Sequence, residues 1–88
     1  MRWKVEFTPR SRKDLQRLSI QDQRRIVNFL SQRVSAHPDP RALAKRLAAT
    51  DEELWRFRVG DYRLMVQFHE GRLTILVIAI GNRRDIYR

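Results

Sequence analysis

Arg56, Arg58 and Arg63 flank a Gly60-Asp61 dipeptide, and that spacing decides where their charge goes. Trp55, Phe57 and Val59 alternate with Arg56 and Arg58. Beyond the glycine, Tyr62, Leu64, Val66 and Phe68 alternate with Arg63, Met65 and Gln67. This is the pattern of two half-buried strands joined by a two-residue turn that starts with glycine. With Gly60 and Asp61 as the only loop residues, Val59 pairs with Tyr62, Arg58 with Arg63, and Arg56 with Met65. Side chains alternate across a strand, so the three arginines leave the face opposite Trp55, Phe57, Leu64 and Val66. Like charges directly opposite one another destabilise a strand pair by about 0.2–1 kcal/mol. A sequence selected for stability alone would place threonine or a carboxylate opposite Arg58. An anion held between the guanidinium groups explains the choice, and phosphate fits their planar fork. The competing explanation is that the arginines splay into solvent and salt screens them.

A second basic cluster, Arg83-Arg84, follows Gly81-Asn82, and Tyr87 and Arg88 close the chain. Taken alone, a terminal tyrosine serves packing, and Asp85 pairs with a neighbouring arginine. His37, ahead of Pro38, is structural, and His69, beside Glu70-Gly71, is solvated. There are no paired carboxylates, no Ser-His-Asp arrangement and no glycine-rich phosphate loop. The absence of cysteine excludes disulfides and thiolate metal sites, and two scattered histidines do not make a zinc site. No metal and no cofactor are expected.

These residues need a scaffold. Trp3, Val5 and Phe7 alternate with Lys4 and Glu6 as a first strand. Thr8-Pro9 opens a helix in which Ser11 and Asp14 are a candidate capping pair and Leu15 and Leu18 form a narrow apolar stripe. Ser19 and Asp22 repeat the capping signature for a second helix starting near Ile20, with Ile26, Val27, Leu30 and Val34 on one face. His37-Pro38-Asp39-Pro40 stops it. Arg41 to Leu47 has room for further helical turns, and Asp51-Glu52-Glu53 is an exposed loop. After the first hairpin, Glu70-Gly71 predicts a second tight turn. Then comes the apolar run Leu73 to Ile80, interrupted by Gly81, and Asp85-Ile86-Tyr87 is a candidate edge strand. The expectation is an α+β fold: an N-terminal strand, a helical hairpin, then an antiparallel β-meander, with the helices packed on one face of the sheet.

The 88 residues allow one domain, spanning 1–88. A net charge of +9, with 16 arginines against 3 lysines, favours an anionic partner such as nucleic acid or an acidic protein. A GC-rich genome would give the same arginine bias without function, so position decides. No apolar run reaches the roughly 18 residues of a membrane helix, and the N-terminus lacks a signal peptide's apolar core. The expected location is the cytoplasm.

Three stretches read together resemble the RelE-like toxins of bacterial and archaeal toxin–antitoxin pairs. They are the N-terminal strand-helix-helix, L-W-R-F-R-V-G-D-Y-R at 54–63, and I-G-N-R-R-D-I-Y-R at 80–88. The resemblance covers nearly the whole chain. It implies a toxin that cuts messenger RNA on the ribosome without a metal, restrained by a RelB-like antitoxin in a hetero-oligomer whose operator DNA is contacted mainly through the antitoxin. By motif, Arg56, Arg58, Arg63 and Arg83 correspond to basic residues that grip the scissile phosphate. Arg84 adds to the phosphate-binding set, and Tyr87 corresponds to a C-terminal tyrosine. The implied catalytic set is Arg58, Arg63, Arg83 and Tyr87. The sequence departs from the best-studied RelE, which has lysines where Arg56 and Arg58 stand, and from many relatives, which carry histidine in place of Asn82. Arginine stays protonated, so phosphate binding carries over and the identity of the general base does not. Two other readings fit the same sequence: a ParE-like toxin that poisons DNA gyrase, and a non-catalytic basic binding module. The antitoxin is expected to be acidic, partly helical and folded on binding. It could cover the arginine face with carboxylates, displace the terminal segment, or make the toxin too bulky for the ribosome.

Overall fold

The computed structural model describes residues 3–47 and 53–82. β1 (Lys4–Phe7) leads into α1 (Pro9–Gln16) and α2 (Ile20–Asn28), which continues as a wider π-helical turn over Phe29–Val34. A short 3-10 turn (Pro40–Leu43) precedes β2 (Lys45–Arg46), β3 (Trp55–Val59), β4 (Tyr62–His69) and β5 (Thr74–Asn82). The five strands form one sheet in the order β1-β5-β4-β3-β2. β3, β4 and β5 are the expected meander, and β1 runs parallel to β5, so the sheet is mixed. This is an α+β fold. No helix among the described residues is long and apolar enough to cross a membrane.

The core lies between α2 and one face of the sheet. Ile26, Leu30 and Val34 pack with Phe57, Leu64, Val66, Ile75 and Val77, all at most 2% exposed. The expected fourth member of the helix stripe, Val27, is instead 43% exposed. Residues 26, 30 and 34 recur every four positions, a step that drifts around an α-helix of 3.6 residues per turn. The π turn, marked by the bond from the Ser35 amide to the Leu30 carbonyl (2.8 Å), offsets that drift and returns Val34 to the core. Ser35 then ties the helix end to β1: its carbonyl accepts from the Trp3 amide, and its hydroxyl donates to the Trp3 carbonyl.

α1 solves a different problem. β1 pairs with β5 only as far as Val77, which leaves the outer edge of β5 bare beyond that point. Unpaired strand edges are reactive toward other chains. Here the side chains of Thr8 and α1 fill the edge. The Thr8 hydroxyl donates to the Ile78 carbonyl (3.0 Å), buried Ser11 donates to the Val77 carbonyl (2.7 Å), and Asp14 accepts from the Ile80 amide (3.1 Å). Ser11 and Asp14 are therefore not a capping pair. Thr8 caps α1 by accepting from the Ser11 amide, with Pro9 at the first helical position. Ser19 caps α2 as expected, accepting from the Asp22 amide.

Other expectations change in detail. Only Pro40–Leu43 of the segment after the prolines is helical, because Lys45 and Arg46 pair with Arg56 and Trp55 as an edge strand. The second hairpin is closed by a 3-10 turn over Glu70–Arg72. Its left-handed residue is Leu73 (φ 46°) rather than Gly71, held by the hydrogen bond that its N–H donates to the Glu70 carbonyl. β5 continues through Gly81 to Asn82, since a glycine in a strand still offers its backbone to the ladder. His37 is structural, its Nδ1 accepting from the Asp39 amide. His69 is half-buried and 3.3 Å from Gln67, not fully solvated. Glu53 is exposed; Asp51, Glu52 and the candidate strand Asp85-Ile86-Tyr87 lie outside the described residues.

The Gly60-Asp61 turn closes β3 on β4 with Gly60 at φ +58°. A side chain there is strained by about 1–2 kcal/mol. Its Cβ would also lie 3.1 Å from an Arg25 guanidinium nitrogen. Gly60→Ala should lower stability by at least that amount, read in urea unfolding as a lower midpoint at unchanged slope.

Candidate nucleic-acid interface

The hairpin places the arginines as its register dictates. Val59 faces Tyr62, Arg58 faces Arg63 and Arg56 faces Met65. Phe57 and Leu64 are fully buried beneath α2, so the arginines occupy the opposite face. On the far side of β4, Arg63 lies opposite Gly81, and Met65 lies opposite Ala79. The face is not uniformly open. Arg58 is exposed and Arg56 half-buried, whereas Arg63, on the central strand between β3 and β5, is only 6% exposed. Arg56 and Arg63 are also engaged by interactions within the chain. Arg58 is thus the guanidinium of the trio most available to a ligand.

β5 carries one irregularity next to this face. Val66 pairs with Val77 and Met65 with Ala79, so Ile78 is an extra residue, a bulge. The inserted residue shifts the alternation by one. Ile75 and Val77 point into the core before it and Ile80 after it, while Ala79 and Gly81 join the arginine face. Bulges re-aim side chains in this way at the ends of strands, where sites are built.

A groove of about 790 Å³ opens where this face meets α1. Arg10 and Asp14 of α1 and Arg17 at its C-terminal cap form one wall, and Met65, Gly81 and Asn82 form part of the other. Asn82 therefore sits across the groove from Arg10 and Arg17, adjacent to the arginine face. Arg10 is 3.9 Å from Asp14, a loose pair on an exposed side chain. Sequence reading passed over Arg10 and Arg17. The basic run Arg10, Arg12, Lys13 and Arg17 was their only signal, and it did not show that α1 borders the end of β5.

Tyr62 also lines the groove, and its phenol donates to Asp22 at 2.9 Å. That bond, burial, and the charges of Asp22 and Asp61 together raise its pKa above the ordinary tyrosine value. The Asp22 bond thus favours the protonated phenol of Tyr62. Arg83, Arg84 and Tyr87, the other sequence-predicted site residues, lie outside the described residues.

Comparison with known proteins bears on the family and the fold. The profile of the ParE toxin family, toxins of the type II toxin–antitoxin system parDE, matches residues 5–87. Toxin RelG of Mycobacterium tuberculosis is 30% identical over 90 residues, covering 100% of this chain and 99% of RelG. The fold is similar to that in the toxin–antitoxin complex RelBE2 from the same organism, at a TM-score of 0.85 and 25% identity over 97% of this chain and 95% of that one. It is also similar to that in the RelE–RelB complex of Pyrococcus horikoshii, at a TM-score of 0.76 and 26% identity over 97% and 99%.

Because the folded pKa of Tyr62 is raised, its bond stabilises the fold fully below the unfolded tyrosine pKa of about 10. That contribution is lost as pH climbs through the folded value. Tyr62→Phe should therefore be less stable than the parent at pH 7, and the gap should close in strong alkali. Urea unfolding across that range measures it; a gap that stays constant would show that the Asp22 bond contributes nothing to the difference.

Proposed function

The chain belongs to the RelE/ParE family of type II toxin–antitoxin toxins, and from that premise we propose that it is a ribosome-dependent mRNA endonuclease that works without a metal in the cytoplasm. The observation that carries this reading is the placement of Arg58 directly opposite Arg63 on the sheet face that α2 leaves uncovered. Two guanidinium groups in direct opposition suit a bound phosphate. A phosphoryl-transfer site gains from them, because its negative charge grows in the transition state.

Cleavage begins when the 2′-OH loses its proton and its oxygen bonds to the adjacent phosphorus. The bond to the 5′-oxygen breaks, and that oxygen takes up a proton from solvent water as it leaves. The products are a 2′,3′-cyclic phosphate and a 5′-hydroxyl. Arg58, Arg63 and Arg83 stabilise the charge that builds on the phosphoryl oxygens, and Arg56 and Arg84 hold flanking phosphates. Preorganised donors aimed at developing charge supply a large share of such rate enhancements. Arginine does not accept the 2′-OH proton; Tyr87 is the candidate base, provided that nearby arginines lower its pKa. The partners are the ribosome with its mRNA and a RelB-like antitoxin. That antitoxin forms a hetero-oligomer with the toxin and supplies most of the operator-DNA contact.

Arg58→Gln is the cleanest test, because the side chain is exposed whereas Arg63 is buried. On mRNA-programmed ribosomes it should lower the maximal cleavage rate by about 10²–10³-fold, as loss of one oxyanion donor does elsewhere, with thermal stability unchanged. Tyr87→Phe should slow cleavage far more than it weakens RNA binding; equal losses would leave Tyr87 a stacking residue. The family profile carries the ParE name, which supports a second reading as a gyrase poison. Intact mRNA under all conditions, together with gyrase-dependent DNA damage in cells, would establish that reading instead.

A further inference from the structure

Arg58 belongs to two surfaces. Besides standing on the arginine face, it lines a separate groove of about 350 Å³ between the hairpin tip and α2 with its π-helical extension. Arg25 and Arg33 reach this groove from the helix, with the carboxamides of Asn28 and Gln32 between them. The missing Cβ of Gly60 lets the Arg25 guanidinium lie against the turn. Arg33 is held over the ring of Phe29, 5.8 Å from its centroid. Arg25, Arg33 and Arg58 form no ion pair among the described residues, although the chain pairs Arg41 with Glu70 at 2.6 Å elsewhere. Three unneutralised guanidinium groups therefore line one concave surface whose remaining polar groups are amides.

We infer that this groove is a second phosphate track, holding the backbone of the same RNA strand on one side of the scissile phosphate. Three features favour RNA over an acidic protein. Protein interfaces are built around exposed aromatic and apolar anchors, and here Val59 is buried and Phe29 lies beneath Arg33. Guanidinium and amide groups together match phosphate and ribose oxygens. Arg58 makes the groove continuous with the candidate cleavage face, so a strand gripped at one is led to the other. Among the described residues, β3 has no strand partner on its outer side beyond Arg56. The inference rests on the RNA-cutting reading and assigns to Arg25 and Arg33 the length of strand that the protein holds. Neither residue touches the reacting atoms.

The test uses two all-2′-O-methyl oligoribonucleotides, which cannot be cut: a trimer and a 12-mer, each labelled and titrated by fluorescence anisotropy at several salt concentrations. The probes are Arg25→Gln and Arg33→Gln; Arg33 is independent of the Gly60 contact, so it stands if Arg25→Gln misfolds in a thermal melt. Each substitution should weaken 12-mer binding about 3–10-fold at low salt and reduce the salt slope by about 0.7, the value for one phosphate contact on a single strand. Trimer binding should be unaffected. Unchanged 12-mer affinity, equal weakening of trimer and 12-mer, or a parent protein that does not bind the 12-mer would each overturn the inference. So would unchanged RNA binding accompanied by weakened binding of an acidic antitoxin peptide, which would make the groove a protein-docking surface. No outcome depends on cleavage, so failure of the nuclease reading on ribosomes is separately visible.

Discussion

The structure depends on the register of one hairpin. Gly60 and Asp61 close β3 on β4 with no residue to spare. A slip of one residue would turn every side chain of a strand to the other face. The register is pinned from both sides. Phe57 and Leu64 are fully buried as a pair, and Phe57 packs edge-on against Phe29 and Phe68 at 5.7 and 6.0 Å. The hydrophobic demand on one face thus forces an electrostatically unfavourable pairing, Arg58 with Arg63, on the other. Replacing one of these arginines would relieve the opposition without disturbing the core.

The remaining elements adapt a sheet to that hairpin. The bulge at Ile78 reverses the alternation of β5, so that Ile80 enters the core while Gly81 comes to lie beside Arg63. A glycine there puts no side chain over the guanidinium. α1 covers the edge that β1 leaves bare, and in doing so it carries Arg10 and Arg17 to the groove at the end of β5. At the opposite end of the sheet Arg41 lies 4.7 Å over the ring of Phe68, and 5.9 Å from those of Trp3 and Trp55, while bonding Glu70. That arginine is fully engaged in structure. Arginine content by itself therefore says little, and position separates structural guanidinium groups from available ones.

The hairpin was legible because its information is local: strict alternation, a glycine-first dipeptide and a two-residue loop determine every pairing. The helix start at Thr8-Pro9 and the cap at Ser19 were legible for the same reason. What escaped was non-local. Parallel pairing of β1 with β5 joins residues 70 positions apart and leaves no mark in either strand alone. Ser11 and Asp14 look like capping residues because their chemistry suits a helix start, yet their partners are carbonyl and amide groups of β5. The depth of Arg63 depends on what flanks β4 on both sides, and alternation reports the face of a residue but not its exposure. The Lys45–Arg46 strand has no apolar pattern, since it holds to the sheet edge through backbone alone.

In the function proposed above, these arginines stabilise a phosphoryl transition state, beyond attracting RNA. Analysis of the ends left on mRNA cut on programmed ribosomes tests it most directly. A 2′,3′-cyclic phosphate upstream and a 5′-hydroxyl downstream, at the same sites for every cut, would match in-line attack by the 2′-OH within the arginine face. A 5′-phosphate with a 3′-hydroxyl would require water as the nucleophile and would contradict the mechanism built on Arg58 and Arg63.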